Sequence, residues 1–275
     1  MRQATISDRA PTLDASADTP LLTLEDVTLR YVTRDHRVTA TYRVGFEVDA
    51  GDRFVILGAS GCGKSTLLKA IGGFMRPAAG RITLNGRTVT KPGPDRVMVF
   101  QDFEQLMPWK TVRENVMFPI RATGKFRGAE ASRRVDEAIE RVKLARFCHL
   151  FPHMLSGGMK MRVALARALA LEPDILLMDE PFAALDALTR REMQEDLLQL
   201  WEQLRFTLLF VTHAIDEAII LGSRVLVLSP HPGRVRAEID VDRFGFDALG
   251  HEDFGLVERR IHRLLFEAAR DHDGT

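Results

Sequence analysis

One stretch constrains the fold more than any other: Gly58-Ala59-Ser60-Gly61-Cys62-Gly63-Lys64-Ser65-Thr66, between the apolar run Phe54-Val55-Ile56-Leu57 and Leu67-Leu68-Lys69-Ala70-Ile71. A short strand of β-branched and aromatic residues runs into a glycine turn, and a helical pattern starts at Lys64. This is the spacing G-x-x-x-x-G-K-[ST] in the strand-to-helix setting that a phosphate-binding loop needs. Gly58, Gly61 and Gly63 are expected to take backbone angles that a β-carbon forbids, turning successive N–H groups toward a phosphate. The helix adds its positive end at the same point. Lys64 is placed to reach the β and γ phosphates, and the Ser65 hydroxyl to ligate Mg²⁺. A chance glycine turn does not put strand, lysine, hydroxyl and helix in register, so the stretch predicts a bound nucleoside triphosphate. Cys62 sits inside the loop beside Lys64 and the helix end, which favours thiolate over thiol unless the side chain turns away into packing.

The chain has 275 residues, 45% of them hydrophobic, enough for one large α/β domain and a smaller subdomain. Lys+Arg and Asp+Glu balance at 38 each, so no strongly basic nucleic-acid surface is indicated. Cys62 and Cys148 offer no disulfide framework and suit a reducing cytosol. No apolar run approaches the ~18–20 residues of a membrane span. The first residues carry acids, Pro11 and Pro20 rather than the apolar core of a signal peptide. Work at a membrane would need another chain to hold this one there.

Residues 1–20 are polar and small, and read as a disordered leader. Residues 22–31 alternate as a strand with an internal irregularity, and residues 42–48 read as a second strand after a charged excursion over 33–37. Tyr31 is either a stacking platform for a base or an ordinary strand-end aromatic. Arg81-Ile82-Thr83-Leu84 runs into the tight turn Asn85-Gly86, and Val97-Met98-Val99-Phe100 is a buried strand with Gln101 just past its carboxyl end. From about residue 102 the texture becomes helical and charged, with Val135, Ala138, Ile139 and Val142 on one face of a helix over 129–142. Met107-Pro108-Trp109 within it is a docking surface or local core. Cys148, His149 and His153 invite a metal reading, but Pro152 breaks the helix that an i, i+4 histidine pair requires.

Leu155-Ser156-Gly157-Gly158 follows, with Ser156 as a natural N-cap before a strong helix over 163–171. Ile175-Leu176-Leu177-Met178 is a buried strand ending in Asp179-Glu180. Two adjacent acids at a strand edge are costly without a cation, so beside a phosphate loop Asp179 is expected to hold Mg²⁺ through water and Glu180 to polarise the attacking water. The strand Leu208-Leu209-Phe210-Val211 ends in Thr212-His213; the imidazole either bonds a γ-phosphate or caps the core.

The order phosphate loop, Gln101, Leu155-Ser156-Gly157-Gly158, Asp179-Glu180, Leu185-Asp186 and His213 resembles the ATPase subunit of an ATP-binding cassette (ABC) transporter, over roughly residues 22–240. Met107-Pro108-Trp109, the run from Glu180-Pro181-Phe182 to Thr189-Arg190, and Leu228-Ser229-Pro230-His231-Pro232-Gly233-Arg234 resemble bacterial importers of nitrate, sulfonate or taurine, and thiamine-precursor importers. Met159 and Ala183 depart from it, standing where many relatives have glutamine and serine. The resemblance implies an α/β fold: an ABC-type P-loop NTPase core sheet with an antiparallel β subdomain and an α-helical subdomain inserted at about 102–155. It implies an ATPase domain over 21–240; beyond it the spacing predicts a helical extension over 241–275, whose Val257, Ile261, Leu264, Leu265 and Ala268 share a face.

The mechanism so implied places Tyr31 under the adenine, residues 58–66 around the phosphates, and Ser65, Gln101 and Asp179 at Mg²⁺. Glu180 activates water, His213 steadies the γ-phosphate, and Gln101 counts with them as catalytic; the permease senses closure through the helical subdomain, near residues 101–119. A second copy, head to tail, presents Ser156, Gly157 and Gly158, so each ATP site is complete only in a homodimer. The implied partners are permease subunits and, indirectly, a periplasmic or extracellular solute-binding protein, at the cytoplasmic face of the plasma membrane. The rivals are a soluble ABC-type ATPase acting on nucleic acid, against which a single cassette without a long insertion argues, and a scaffold that uses ATP only to dimerise, against which Asp179, Glu180 and His213 argue.

Overall fold

The computed structural model describes residues 19–32, 36–100 and 105–266. Strands β1 (Leu22–Val32) and β2 (Arg37–Val48) lead into β3 (Arg53–Leu57), the phosphate loop and helix α1 (Lys64–Ile71). After β4 (Ala79–Leu84) and the short β5 (Arg87–Thr88) comes β6 (Arg96–Val99), then the helices α2 (Val112–Thr123), α3 (Gly128–Arg141) and α4 (Gly157–Leu169). The chain returns through β7 (Ile175–Asp179), α5 (Ala187–Leu204), β8 (Thr207–Thr212), α6 (Ile215–Leu221), β9 (Arg224–Leu228) and β10 (Val235–Asp240), and ends in α7 (Glu252–Phe266).

The larger sheet has the order β10-β9-β3-β8-β7-β6, parallel except for β10. Its central strands β3, β7 and β8 are buried at every position, which is why they read as unbroken apolar runs rather than alternating ones. Successive side chains of β3 still divide between two cores. Phe54 and Ile56 join α1 and the antiparallel sheet, whereas Val55 and Leu57 join the cluster built with α4, α5 and α6. Each such side chain contributes about 1.5–3 kcal/mol by leaving water. Register decides what meets at the carboxyl edge: Leu57 lies level with Thr212 and Val227, and Asp179 level with Val211. The phosphate loop, Glu180 and His213 therefore emerge side by side.

The smaller sheet, β2-β1-β4-β5, is antiparallel. The irregularity expected in β1 is a set of register shifts between Leu24 and Arg30, the first across Asp26, whose φ is 48° and whose carboxylate pairs with Arg43. Strand β2 begins at Arg37, earlier than the apolar alternation suggested, because its first residues pair with the exposed end of β1 and bury little. Asn85 and Gly86 both have positive φ, as a tight two-residue hairpin turn requires.

Helices α2, α3 and α4 pack on one another, and Val135, Ala138, Ile139 and Val142 are buried as the spacing predicted. Helix α2 is the element that sequence periodicity did not reveal: it carries Pro119 internally, and its start is set by a capping box between Thr111 and Glu114. Helix α7 packs on α6 and β9, burying Ile261 and Leu265 together with Phe254. Val257 and Leu264 are half-buried, and Ala268 lies outside the described residues. Most of the predicted leader also lies outside them. Among the described residues no helix is long and apolar enough to cross a membrane. The architecture is the expected α/β core with an antiparallel sheet and a helical insertion.

Candidate functional site

The loop after β3 wraps the N-terminus of α1. Gly61 and Gly63 have φ of 78° and 102°, and Gly63, at the helix N-cap, offers no side chain to occupy the first amides. A β-carbon on Gly63 would also fall 2.7 Å from the Ala40 carbonyl oxygen of β2. Gly58 departs from the expectation: its φ is not positive, and glycine is needed because a β-carbon there would lie 2.6 Å from the Cys62 sulfur. The Lys64 ammonium donates to the carbonyls of Gly58 (2.8 Å) and Ala59 (3.2 Å), so the lysine is held across its own loop. Lys64, Ser65, Thr66, Ser60, Gly61 and Gly63 line one cavity of about 350 Å³, shared with Tyr31 and Glu180.

Ser65, which lines this cavity, and Asp179 next to it offer two oxygens that suit a hard cation. Ser65 Oγ donates to Asp179 Oδ1 at 2.7 Å, and the carboxyl of Asp179 is pushed above its ordinary range by burial, which the Ser65 hydrogen bond opposes. A buried carboxylate so placed gains from a cation, and a hydroxyl with one carboxylate is the donor set by which Mg²⁺ is bound together with phosphates. Mg²⁺ bound there would neutralise phosphate charge. Gln101, the other expected ligand, lies outside the described residues.

Glu180 stands between two basic groups. Its Oε1 is 3.6 Å from Lys64 Nζ and its Oε2 is 2.9 Å from His213 Nδ1. Its backbone has a φ of 44°, a strained angle for a non-glycine residue, held by the bond from its N–H to the Val211 carbonyl. A carboxylate aimed at the phosphate loop, with an imidazole beside it, can take a proton from water. Tyr31 is half-exposed at the cavity mouth, its hydroxyl 2.9 Å from Thr66 Oγ1.

Ser156, Gly157 and Gly158 are not among the residues lining this cavity. Ser156 caps α4, accepting from the Met159 amide at 3.3 Å, and Gly158 lies against Thr189 of α5. Within one chain the structure thus brings together the phosphate loop, Asp179, Glu180 and His213, but not the Ser-Gly-Gly segment. Cys148, His149 and His153 form no metal cluster; among the described residues there is no group of three His, Cys, Asp or Glu that could hold one.

Cys62 corrects an expectation. Its side chain is 1% exposed and packs in the core beneath the loop, and burial, outweighing Lys64 nearby, pushes the thiol up rather than down. The residue belongs to the loop through its backbone alone. A maleimide is therefore expected to label half-buried Cys148 first, with Mg-ATP giving no protection; adducts on Cys62 in peptide mapping would contradict this burial.

Three further residues line the cavity, Val38, Ala40 and His231, of which only His231 stands in a stretch that carries the family resemblance, without a role assigned there. His231 sits in the loop after β9, which is pinned to β2 by bonds from Tyr42 N to Gly233 O and from Gly233 N to Ala40 O, each 2.9 Å. The signal available was Pro230-His231-Pro232-Gly233 just past a buried strand, at the same sheet edge as the phosphate loop.

Comparison with known proteins bears on this arrangement. Residues 42–183 match the ABC transporter family model. A taurine import ATP-binding protein of Rhizobium johnstonii is 52% identical over 205 residues, 74% of this chain and 78% of that protein. A nitrate import ATP-binding protein of Synechococcus elongatus is 41% identical over 94% of this chain and 93% of its own length. Among solved structures, a dimeric ATP-binding cassette in a post-hydrolysis state with ADP and Pi has a TM-score of 0.69 at 33% identity, covering 82% of this chain and all of that one (100%). The Clostridium perfringens protein cbiO1, part of the ABC transporter complex cbiONQ, has a TM-score of 0.73 at 28% identity, covering 89% of this chain and 97% of that one.

Proposed function

The chain belongs to the ABC transporter family, and from that premise we propose that it binds and hydrolyses ATP as the energising subunit of an importer for a small solute of the nitrate, sulfonate or taurine kind. The observation that carries the chemistry is the placement of Glu180 within 2.9 Å of His213 and 3.6 Å of Lys64, at the rim of the phosphate-loop cavity. The importer relatives favour transport over action on nucleic acid.

In this proposal the backbone of residues 58–66 and the Lys64 ammonium hold the phosphates, and Tyr31 lies under the base. Ser65 and Asp179 hold Mg²⁺, with Gln101 completing the set. Glu180 takes the proton of the attacking water and His213 bonds the γ-phosphate. Ser156, Gly157 and Gly158 act on the ATP of a second copy in a head-to-tail homodimer, so turnover waits on closure. The exclusion of that segment from the cavity of its own chain supports the head-to-tail arrangement.

The ATPase domain spans 21–240, with the helical insertion over about 102–155 facing permease subunits and 241–275 as an extension. Trp109, 71% exposed, stands on a loop that Asn115, itself buried, fixes through bonds with Met107, Lys110 and Thr111; this supports a docking role for Met107-Pro108-Trp109. The subunit works at the cytoplasmic face of the plasma membrane, and a solute-binding protein acts through the permease.

The trans assignment is tested by mixing Ser156→Arg subunits with Lys64→Ala subunits, each inactive alone. A heterodimer of the two keeps one intact site, so an equal mixture is expected to recover roughly a quarter of wild-type phosphate release if sites fire independently. A crosslink from position 156 to the partner's phosphate loop should form with ATP. The absence of both recovery and crosslink would sink the head-to-tail reading.

A further inference from the structure

Behind the site lies a buried carboxylate with no part in the chemistry so far. Glu217, in the first turn of α6, is 8% exposed, and burial pushes its carboxyl above the ordinary range while hydrogen bonds from Thr212 and Gln194 oppose that shift. Its Oε1 accepts from Gln194 Nε2 at 2.8 Å, and its Oε2 accepts from the Thr212 hydroxyl. Thr212 Oγ1 in turn accepts from the Ala214 amide at 3.1 Å. The chain of bonds therefore grips the backbone on both sides of His213, whose own side chain is 54% exposed and touches Glu180. At its other end Gln194 belongs to α5, the helix that starts directly after the loop running from Glu180 to Asp186.

An apolar side chain would fill this space at lower cost than a buried acid, because a carboxylate must be desolvated. What the acid supplies is direction: two oxygens, each bound to a different element, that define one position for the turn. We propose that Glu217 is a positioning residue for hydrolysis, holding the turn that carries His213 through Thr212 and tying it to α5 through Gln194. The proposal rests on the assignment of His213 to the reacting phosphate.

The test compares phosphate release and nucleotide affinity in full-length Thr212→Val, Thr212→Ser, Glu217→Ala, the Thr212→Val/Glu217→Ala double variant and His213→Ala. Thr212→Val and Glu217→Ala are each expected to lower kcat roughly tenfold or more, as misplacement of a reacting group does. ATP affinity should stay within about twofold of wild type, since the phosphate loop is untouched. The double variant should be no slower than the worse single one, because both break one chain of bonds. Thr212→Ser keeps the hydroxyl and should recover turnover. Should Glu217→Ala fail to fold, the contrast between Thr212→Val and Thr212→Ser decides alone. Unchanged kcat in folded Thr212→Val, or an equal loss in Thr212→Ser, overturns the proposal while an inactive His213→Ala leaves the site assignment standing. An active His213→Ala protein removes that assignment, and the proposal with it.

Discussion

Glu180→Gln is expected to keep ATP and lose hydrolysis by roughly 10²–10⁴-fold, the range over which a general base contributes. The amide retains the shape of the side chain and its contact with His213 Nδ1, but it has no lone pair basic enough to take a proton from water. The phosphate loop is not altered, since Lys64 is held mainly by the Gly58 and Ala59 carbonyls. Binding therefore persists while turnover stops, and the ATP-bound dimer accumulates. Gel filtration with ATP and steady-state phosphate release check both halves. A monomer under saturating ATP, or hydrolysis near wild type, would remove Glu180 from the catalytic role.

Lys64→Ala fails at the earlier step. The lysine is 4% exposed, and its ammonium already lies at the cavity floor, so binding ATP adds charge-assisted bonds without reorganising a long side chain. Hydrogen bonds to charged groups contribute about 1.5–3 kcal/mol, so affinity should fall about ten- to hundredfold. The loss also leaves the Gly58 and Ala59 carbonyls without the donor that bridges them, which loosens the loop and pushes the effect toward the upper end. Nucleotide titration measures it directly, and the thermal shift on adding ATP should shrink in parallel. Wild-type affinity in Lys64→Ala would place the lysine outside phosphate binding. The two variants separate cleanly: Glu180→Gln binds without turning over, and Lys64→Ala loses affinity itself.

Local patterns were legible because their physics is local. A β-branched run, a glycine turn with lysine and hydroxyl, and a helix start are set by neighbouring residues, so the phosphate loop could be read from Phe54 to Ile71. The same holds for Asp179-Glu180 and Thr212-His213, since a buried apolar strand that ends abruptly in polar residues marks a sheet edge. That these ends share one edge was expected from the strand ends themselves, and the parallel register of β3, β7 and β8 is what brings them together.

Side-chain direction was not legible. Nothing in residues 58–66 tells that Cys62 points into the core, because the apolar cluster that buries it includes side chains of β1, β2, β8 and β9, remote along the chain. The sign of its pKa shift follows from that burial, which outweighs the helix end and Lys64 that the sequence made conspicuous. His231 joins the cavity only because β2 pins its loop, and Glu217 of α6 meets Gln194 of α5 only in the folded chain. By itself the sequence determined which residue types stand at the sheet edge and hence the class of chemistry. The tertiary structure alone decided which of them face the nucleotide and which are buried, since burial and direction are set by contacts between segments remote along the chain.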